Sequence, residues 1–302
     1  AIFALAIITS FFLPTYAPSG TNSQSPSGPG DRQEIQGGAN PHIILGESHP
    51  ISSARAAVEA AGVRVASAVV QPVAAAEAVI TQSEKEEGVV VLDVGGGTTD
   101  IAIFSEGSIV HTAVLPIGGY QFTNDIAIAF DCEYDEAERI KLAYGSAAPN
   151  MKPRSEEFEA QSCSLDTPLV INRRELGQLM EERATELFKM VKSKLEIKHL
   201  SQIPLRQVVL VGGASKLDGL SAIGRYVLQC QIRTGEPRGA DPLHPTLRDP
   251  AYAASVGILL WGMRNLSRDD YIEIPGKSTT GWDKLSSAIR EFLPMFKDRK
   301  SE

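Results

Sequence analysis

The sequence predicts an α/β protein whose strands end in glycine turns along one edge of a sheet. Three observations carry that expectation. Short runs of valine and isoleucine alternate with helical patterns along most of the 302 residues, as expected of a sheet flanked by helices. One such run, "VVVLDVGGGTTD", breaks into Gly95, Gly96 and Gly97 between two aspartates, Asp93 and Asp100. A second, "VVLVGGASKLDG", breaks at Gly212 and Gly213 and then turns helical. With 43% apolar residues the chain can bury one large core or two ordinary ones.

Each element has a local reason. After a Pro/Gly/Ser-rich lead that cannot bury enough surface to order itself, "SHPISSARAAVEAAG" predicts a short helix, capped by Ser52 or Ser53 and stopped by Gly62. "VRVASAVV" predicts a strand, and "QPVAAAEAVIT" an alanine-rich helix with Pro72 in its first turn. Side chains that small suit a crossing point, where another backbone comes close. From Gly88 to Leu115 the pattern is beta: "GVVVLDVGGG", "TTDIAIFSEG" and "SIVHTAVLPIGG" form a meander, with "SEGS" as a tight hairpin turn. Helices follow around "YQFTNDIAIAF" and "DEAERIKLAYG", and a polar stretch to about Asp166 reads as a loop.

"VINRRELGQLMEERATELFKMVKSKLEIKHL" predicts the longest helix, because Leu176, Leu179, Met180, Leu187, Phe188, Val191 and Leu195 recur at three- and four-residue steps. Asn172 and Glu175 are placed for a capping box. Then come a strand, "RQVVLVGG", a helix, "ASKLDGLSAIGRYVL", and a Pro-rich loop. The small-residue helix "DPAYAASVGILLWGM", a polar linker and the tail "GWDKLSSAIREFLPMFKDRKSE" complete the chain. No internal repeat is visible.

The formal net charge of −8 gives no basic footprint and argues against nucleic acid as a partner. Cys132, Cys163 and Cys230 are widely spaced, odd in number and without metal-ligand spacing, as in a reduced compartment. The opening run "AIFALAIITSFFL" has 13 residues, too few to span a bilayer comfortably. It lacks the basic segment and clean cleavage site of a signal peptide, so a truncated or misread start is expected.

The glycine turn after Asp93 is the chemical centre of the sequence. Successive backbone N–H groups in such a turn point at one anion with no Cβ in the way, which is how phosphate oxygens are cradled. Asp93, at the end of an apolar strand, would be a costly charge to bury alone, yet it suits a hydrated magnesium ion beside phosphates. Thr98 and Thr99 add hydroxyl donors. A plain glycine bulge is the alternative, but a bulge needs no acid at that point. Two glycine turns, each ending a strand, suggest one ligand contacted across the sheet's carboxyl edge.

"DVGGGTTD" resembles the second phosphate loop of the actin, sugar kinase and DnaK-type chaperone superfamily, and "VLVGGASKLDGL" resembles its adenosine loop. "EAERIKLAYGSA" is similar to the helix whose Glu and Lys, here Glu138 and Lys141, flank ribose and adenine. "QPVAAAEAVI" and "DPAYAASVGILL" resemble the connecting helices that cross at the hinge between lobes. Within the superfamily, "HTAVLPIGGYQFTNDIAIAF" and "NRRELGQLMEERATELFKMVKSKLE" look most like the FtsA family of bacterial cell-division proteins, over about residues 50 to 265.

That resemblance implies an actin-like (ribonuclease H-like) ATPase fold with its second lobe mostly complete and its first mostly missing. It implies ATP and Mg2+ as ligands. Asp93 would be the catalytic position and hold the metal through water; Gly95, Gly96, Gly97, Thr98 and Thr99 would hold phosphates. Glu138, Lys141, Gly212, Gly213, Ala214 and Ser215 would hold the nucleoside. No general base is named, and half a clamp implies at most a weak ATPase. The implied partners are FtsZ, bound between about Tyr120 and Leu200, the chain itself in an actin-like polymer, and the inner face of the cytoplasmic membrane at the division site.

The expected organisation is a lead over 1–40, a first-lobe remnant with the first connecting helix over 41–85, the nucleotide-binding lobe over 86–265, a linker over 266–280 and an amphipathic helix over 281–302. In that tail Trp282, Leu285, Ile289, Phe292 and Phe296 follow helical spacing, with five cations against four acids. This suits a membrane surface gripped mainly by its apolar face, although Pro294 would kink or end the helix. A sugar or acetate-type kinase has no need of such a tail, and a chaperone would carry a substrate domain where only about 40 residues remain.

Overall fold

The computed structural model describes residues 6–8, 44, 48–148, 156–164, 168–196, 205–239 and 244–265. The linker, the tail with Trp282, Leu285, Ile289, Phe292 and Phe296, and nearly all of the lead lie outside the described residues.

A five-stranded mixed sheet organises the molecule. Its strands are β3 (Val89–Val94), β4 (Thr99–Ser105), β5 (Ser108–Leu115), β8 (Gln207–Val211) and β9 (Gln231–Thr234), in the order β5-β4-β3-β8-β9. β3, β4 and β5 form the antiparallel meander, while β3, β8 and β9 run parallel. All six residues of the central β3 are buried, which is why its sequence is apolar everywhere but at Asp93. The turn between β4 and β5 is the one "SEGS" predicts: Glu106 and Gly107 both have positive φ, 53° and 78°, the requirement of a type I′ hairpin.

Strand parity sorts the core into two layers. Val90, Leu92 and Val94 face a cluster built with α4 (Gly119–Ala129), α5 (Tyr134–Tyr144), α6 (Arg173–Leu195) and α7 (Leu220–Leu228). Val89 and Val91 face α2 (Gln71–Val79) and α8 (Ala253–Asn265). The last two helices meet as closely as their small residues promise: a Cβ on Gly257 would lie 1.7 Å from the Ala74 carbonyl oxygen.

Other expectations need correction. The first helix, α1 (Ser48–Ala60), begins earlier than Ser52 and Ser53, and the Ser52 hydroxyl donates back to His49 O from inside it. Pro50 stands in the first turn, where its missing N–H costs nothing. Gly62 does stop the helix: its N–H reaches Glu59 O and that of Val63 reaches Val58 O, a Schellman closure. Of the strand expected over 63–70 only β2 (Ala68–Val70) forms, paired parallel with β1 (Ala6–Ile8) from the opening apolar run.

Between β2 and β3 the chain adds α3 (Gln82–Glu87), closed by a capping box of Thr81 and Glu84 that the sequence reading passed over. The stretch expected as loop contains β6 (Glu157–Ala160), paired with β7 (Leu169–Asn172). Helix α6 therefore starts at Arg173 rather than Val170. Asn172 caps it by accepting from the Arg174 amide, one residue earlier than a capping box requires. Likewise, α7 is preceded by a separate 3-10 turn, Gly213–Lys216, and a 3-10 turn, Pro250–Tyr252, precedes α8.

Candidate functional site

The two glycine turns lie side by side because β3 and β8 are parallel neighbours, with Asp93 registered against Val211. Gly212 has φ +85°, and a Cβ there would lie 2.4 Å from Val94 O and 2.5 Å from Asp93 Oδ1. Only glycine fits that approach. The Gly212 N–H donates to Pro250 O at 3.0 Å, tying the second turn to the start of the α8 segment.

A third glycine pair closes over the first turn. Gly119 N–H donates to Gly95 O at 2.9 Å and Tyr120 N–H to Gly96 O, while Gly95 N–H bonds Thr98 O. A Cβ on Gly118 would sit 2.7 Å from Gly95 O and 2.8 Å from Gly96 O. The loop carbonyls are thus consumed by the N-terminus of α4, whose first amides need acceptors.

Asp93 is 3% exposed. Its Oδ2 accepts from Gln71 Nε2 at 2.8 Å, and Gln71 is the first residue of α2. Burial pushes the Asp93 carboxyl above its ordinary range, and the Gln71 hydrogen bond pulls it partway back.

Helix α5 brings a second polar group to the same edge. Lys141 Nζ donates to Glu138 Oε2 at 2.6 Å, Thr123 Oγ1 at 2.7 Å and Gly119 O at 3.1 Å, which uses all three ammonium protons. Thr123 also donates to Glu138 Oε2. Burial works against the Glu138 carboxylate, but the Lys141 and Thr123 hydrogen bonds outweigh it and hold the group below its usual range. Lys141 Nζ and the Ala214 Cβ both come within 4 Å of the point where a Gly119 Cβ would be. Loop, helix and second glycine turn therefore meet at the carboxyl edge of the sheet, the usual place for a ligand in an α/β protein.

Residues 90–257 match the family model described as "Cell division protein FtsA". The chain belongs to the FtsA family. It is 34% identical to the FtsA of Pseudomonas aeruginosa over 255 residues, 84% of this chain and 61% of that protein. The FtsA of Escherichia coli is likewise 34% identical, over 84% of this chain and 63% of its own length. The chain thus spans about three-fifths of these relatives. Among solved structures, MreB 5 of Spiroplasma citri bound to AMPPNP superposes with a TM-score of 0.59 at 18% identity, covering 72% of this chain and 65% of that one. The PilM chain of the PilM-PilN type IV pilus biogenesis complex gives 0.53 at 21%, covering 71% and 57%. The fold is that of the actin-like ATPases. The FtsA match favours the cell-division reading over the kinase and chaperone alternatives.

In this FtsA chain the sequence-derived site residues divide into two groups. Asp93, Gly95, Gly96, Gly97, Glu138, Lys141, Gly212, Gly213 and Ala214 lie along that edge, in or beside the two glycine turns. Thr99 and Ser215 do not offer their hydroxyls to it. Thr99 is fully buried and donates to Ile117 O at 2.8 Å, and Ser215 donates to Gly212 O at 2.7 Å. Both brace the turns from behind. Thr98 sits between, with its hydroxyl on Asp100 Oδ2 at 3.3 Å. The sequence reading missed Gln71, Thr123, Gly118 and Gly119, which only the tertiary contacts reveal.

The residues fit a magnesium nucleotide. A Cβ on Gly96, Gly97 or Gly213 would meet nothing within 4 Å, and none of the three has positive φ. The backbone at these three glycines is therefore open to an anion from outside the chain. Gln71 Oε1 is buried without a hydrogen-bond partner, beside the carboxylate that would face a hydrated ion. Among the described residues no cluster of three or more His, Cys, Asp or Glu could hold a metal. Asp93, water and phosphate oxygens would make up a magnesium shell, a usual composition for that ion.

Proposed function

We propose that this FtsA-family chain binds ATP with Mg2+ at the carboxyl edge of β3 and β8 and uses it as a structural switch in a membrane-bound division scaffold. One observation carries the nucleotide reading: two glycine turns lie side by side with open space over Gly96, Gly97 and Gly213, and the Lys141–Glu138 pair packs beside them at Gly119. Gly95, Gly96, Gly97 and Thr98 would hold phosphates, and Glu138, Lys141, Gly213 and Ala214 the nucleoside. When bound, magnesium supplies neutralisation of phosphate charge. Asp93 would face it, with its carboxylate held from behind by Gln71.

Within this reading residues 86–265 are the actin-like nucleotide lobe and 281–302 the helix that lies on the cytoplasmic membrane. FtsZ filaments and further copies of the chain are the partners, at the inner face of the division site. Turnover is at most that of a weak ATPase. Among the described residues no helix is long and apolar enough to cross a membrane. The helical spacing of Trp282, Leu285, Ile289, Phe292 and Phe296 is what favours attachment by an interfacial helix.

Gly96→Val separates site from scaffold. Its side chain would project into open space, so the melting temperature is expected to stay within about 3 °C of wild type. Calorimetry with magnesium ATP is expected to show at least a roughly tenfold loss of affinity, because the side chain occupies phosphate space. Unchanged affinity would remove the phosphate assignment. For the membrane half of the proposal, the full chain is expected to float with anionic liposomes, and a variant ending at residue 279 to stay in the soluble fraction. Flotation of both would move the membrane contact elsewhere in the chain.

A further inference from the structure

We infer that Ser146 and Asp218 are a positioning pair that holds the two walls of the nucleoside subsite at a fixed separation; this rests on the nucleotide reading above. Beyond the end of α5, Ser146 and Asp218 form a single parallel β-bridge. The Ala147 N–H donates to the Asp218 carbonyl at 2.7 Å. The Ser146 hydroxyl donates to Asp218 Oδ2 at 2.8 Å and accepts from Ala148 N–H at 3.2 Å. Ser146 is 2% exposed, so the carboxylate of the loop reaches in to a buried hydroxyl, a charge-assisted bond of the stronger kind.

Glycines on both sides show how closely the two segments are fitted. Gly219 has φ +83°, and a Cβ there would stand 2.8 Å from Ala147 C and Ala148 N. A Cβ on Gly145 would stand 2.3 Å from Lys141 O and 3.1 Å from Met180 Sδ, which fixes the direction in which the chain leaves α5.

The joined segments carry different walls of the site. Upstream of Ser146 on α5 are Lys141 and Glu138; just upstream of Asp218 is the turn holding Gly212, Gly213 and Ala214. The phosphate cradle is tied down by main-chain bonds of α4, from Gly119 and Tyr120 to Gly95 and Gly96, while α5 reaches that segment through the Lys141 side chain. Loosening the Ser146–Asp218 clip therefore shifts α5 against the second glycine turn and leaves the first turn in place. Neither residue need touch the ligand. Their effect is on the geometry of those that do, and affinity is sensitive to small displacements of such groups.

The test compares two probes on the full chain, magnesium ADP and magnesium tripolyphosphate: both offer phosphates to the first turn, and ADP alone carries a nucleoside. Asp218→Ala is expected to weaken ADP about tenfold and to change tripolyphosphate by less than about twofold. Asp218→Asn keeps an acceptor for Ser146 and is expected to restore ADP binding to within about threefold of wild type. Ser146→Ala added to Asp218→Ala is expected to cost nothing further, since the pair acts as one unit.

Equal weakening of both probes, no weakening of ADP, or failure of Asp218→Asn to rescue overturns the positioning role. If Asp218→Ala melts too low to assay, Ser146→Ala carries the same comparison. A wild-type chain that binds neither probe removes the nucleotide reading and this inference with it. Wild type binding both, Gly96→Val binding neither and Asp218→Ala matching wild type removes the positioning role alone.

Discussion

Gly257→Ala is expected to destabilise the protein by about 3 kcal/mol, a fall in melting temperature of roughly 10 °C for a chain of this size. The added methyl would lie 1.7 Å from the Ala74 carbonyl oxygen, 2.5 Å from its carbon and 3.2 Å from the Ala75 nitrogen. All three are main-chain atoms, so no rotamer change relieves the overlap, and α2 and α8 must separate. Separation opens gaps around Ala74, Ala75, Ala76, Val256 and Ile258, all buried, and tight interiors lose contact energy over small gaps.

In an uncrowded helix the same change would gain up to about 1 kcal/mol from helix propensity, so the sign alone reports the crossing. Gly239→Ala is the control: its Cβ would meet nothing closer than Leu260 at 3.6 Å, and its melting temperature is expected to match wild type. A Gly257→Ala chain melting at or above wild type in a circular-dichroism scan would show that the two helices do not need this contact.

The crossing also bears on the site. Helix α2 begins at Gln71, whose amide holds Asp93, and the segment before α8 accepts the Gly212 N–H through Pro250. Both glycine turns therefore take part of their position from the helices that cross at Ala74 and Gly257. Spacing between those helices is transmitted to the carboxylate and to the second turn.

What the sequence discloses follows burial and length. β3 was legible because a central strand buried on both faces is apolar nearly throughout, here everywhere but at Asp93. The "SEGS" turn was legible because two consecutive positive φ values demand a narrow set of residues. α6 was legible because its buried stripe, from Leu176 to Val191, recurs over about four turns. By contrast β6, β7 and β9 have four residues each, too few for an alternating pattern to stand out from loop. Thr81 and Glu84 carried a readable capping signal for α3, in a stretch too polar to draw notice.

In the site, parity decides what glycine counting does not. Thr99 pairs with Val94 across the ladder and Asp100 with Asp93, and paired residues share a face. Thr99 thus points with Val94 toward α4 and donates to Ile117, while the aspartates point toward α2. Alternation along β3 would have excluded the Thr99 hydroxyl as a phosphate donor. Gln71 and Thr123 carry no comparable signal, because each matters through a partner 22 and 15 residues away.

Asp93→Asn is expected to stabilise the ligand-free chain while weakening its ligand binding. Burial, opposed by the Gln71 hydrogen bond, leaves the Asp93 carboxyl easier to protonate in the folded chain than in the unfolded one. A carboxyl raised in this way favours folding most at low pH, and its contribution is lost as pH rises through the folded pKa. At pH 7, above the ordinary range of the unfolded carboxyl, keeping this group buried therefore costs the folded chain stability. Asparagine carries no ionisable group, keeps an acceptor for Gln71 Nε2 and presents an N–H to Gln71 Oε1, which is buried and unpartnered.

A gain of about 2 kcal/mol is expected at pH 7, shrinking as pH falls and absent below about pH 4, where the unfolded carboxyl is also protonated. Magnesium ATP is expected to bind the variant about 10- to 100-fold more weakly, the usual cost of removing a group that orients a metal's shell. Melting curves from pH 4 to 8 and calorimetry on the same variant give the two signs together. If stability fell along with affinity, Asp93 would be a structural carboxylate. If stability rises while affinity falls, the buried charge is retained for the cation that a nucleotide brings to it.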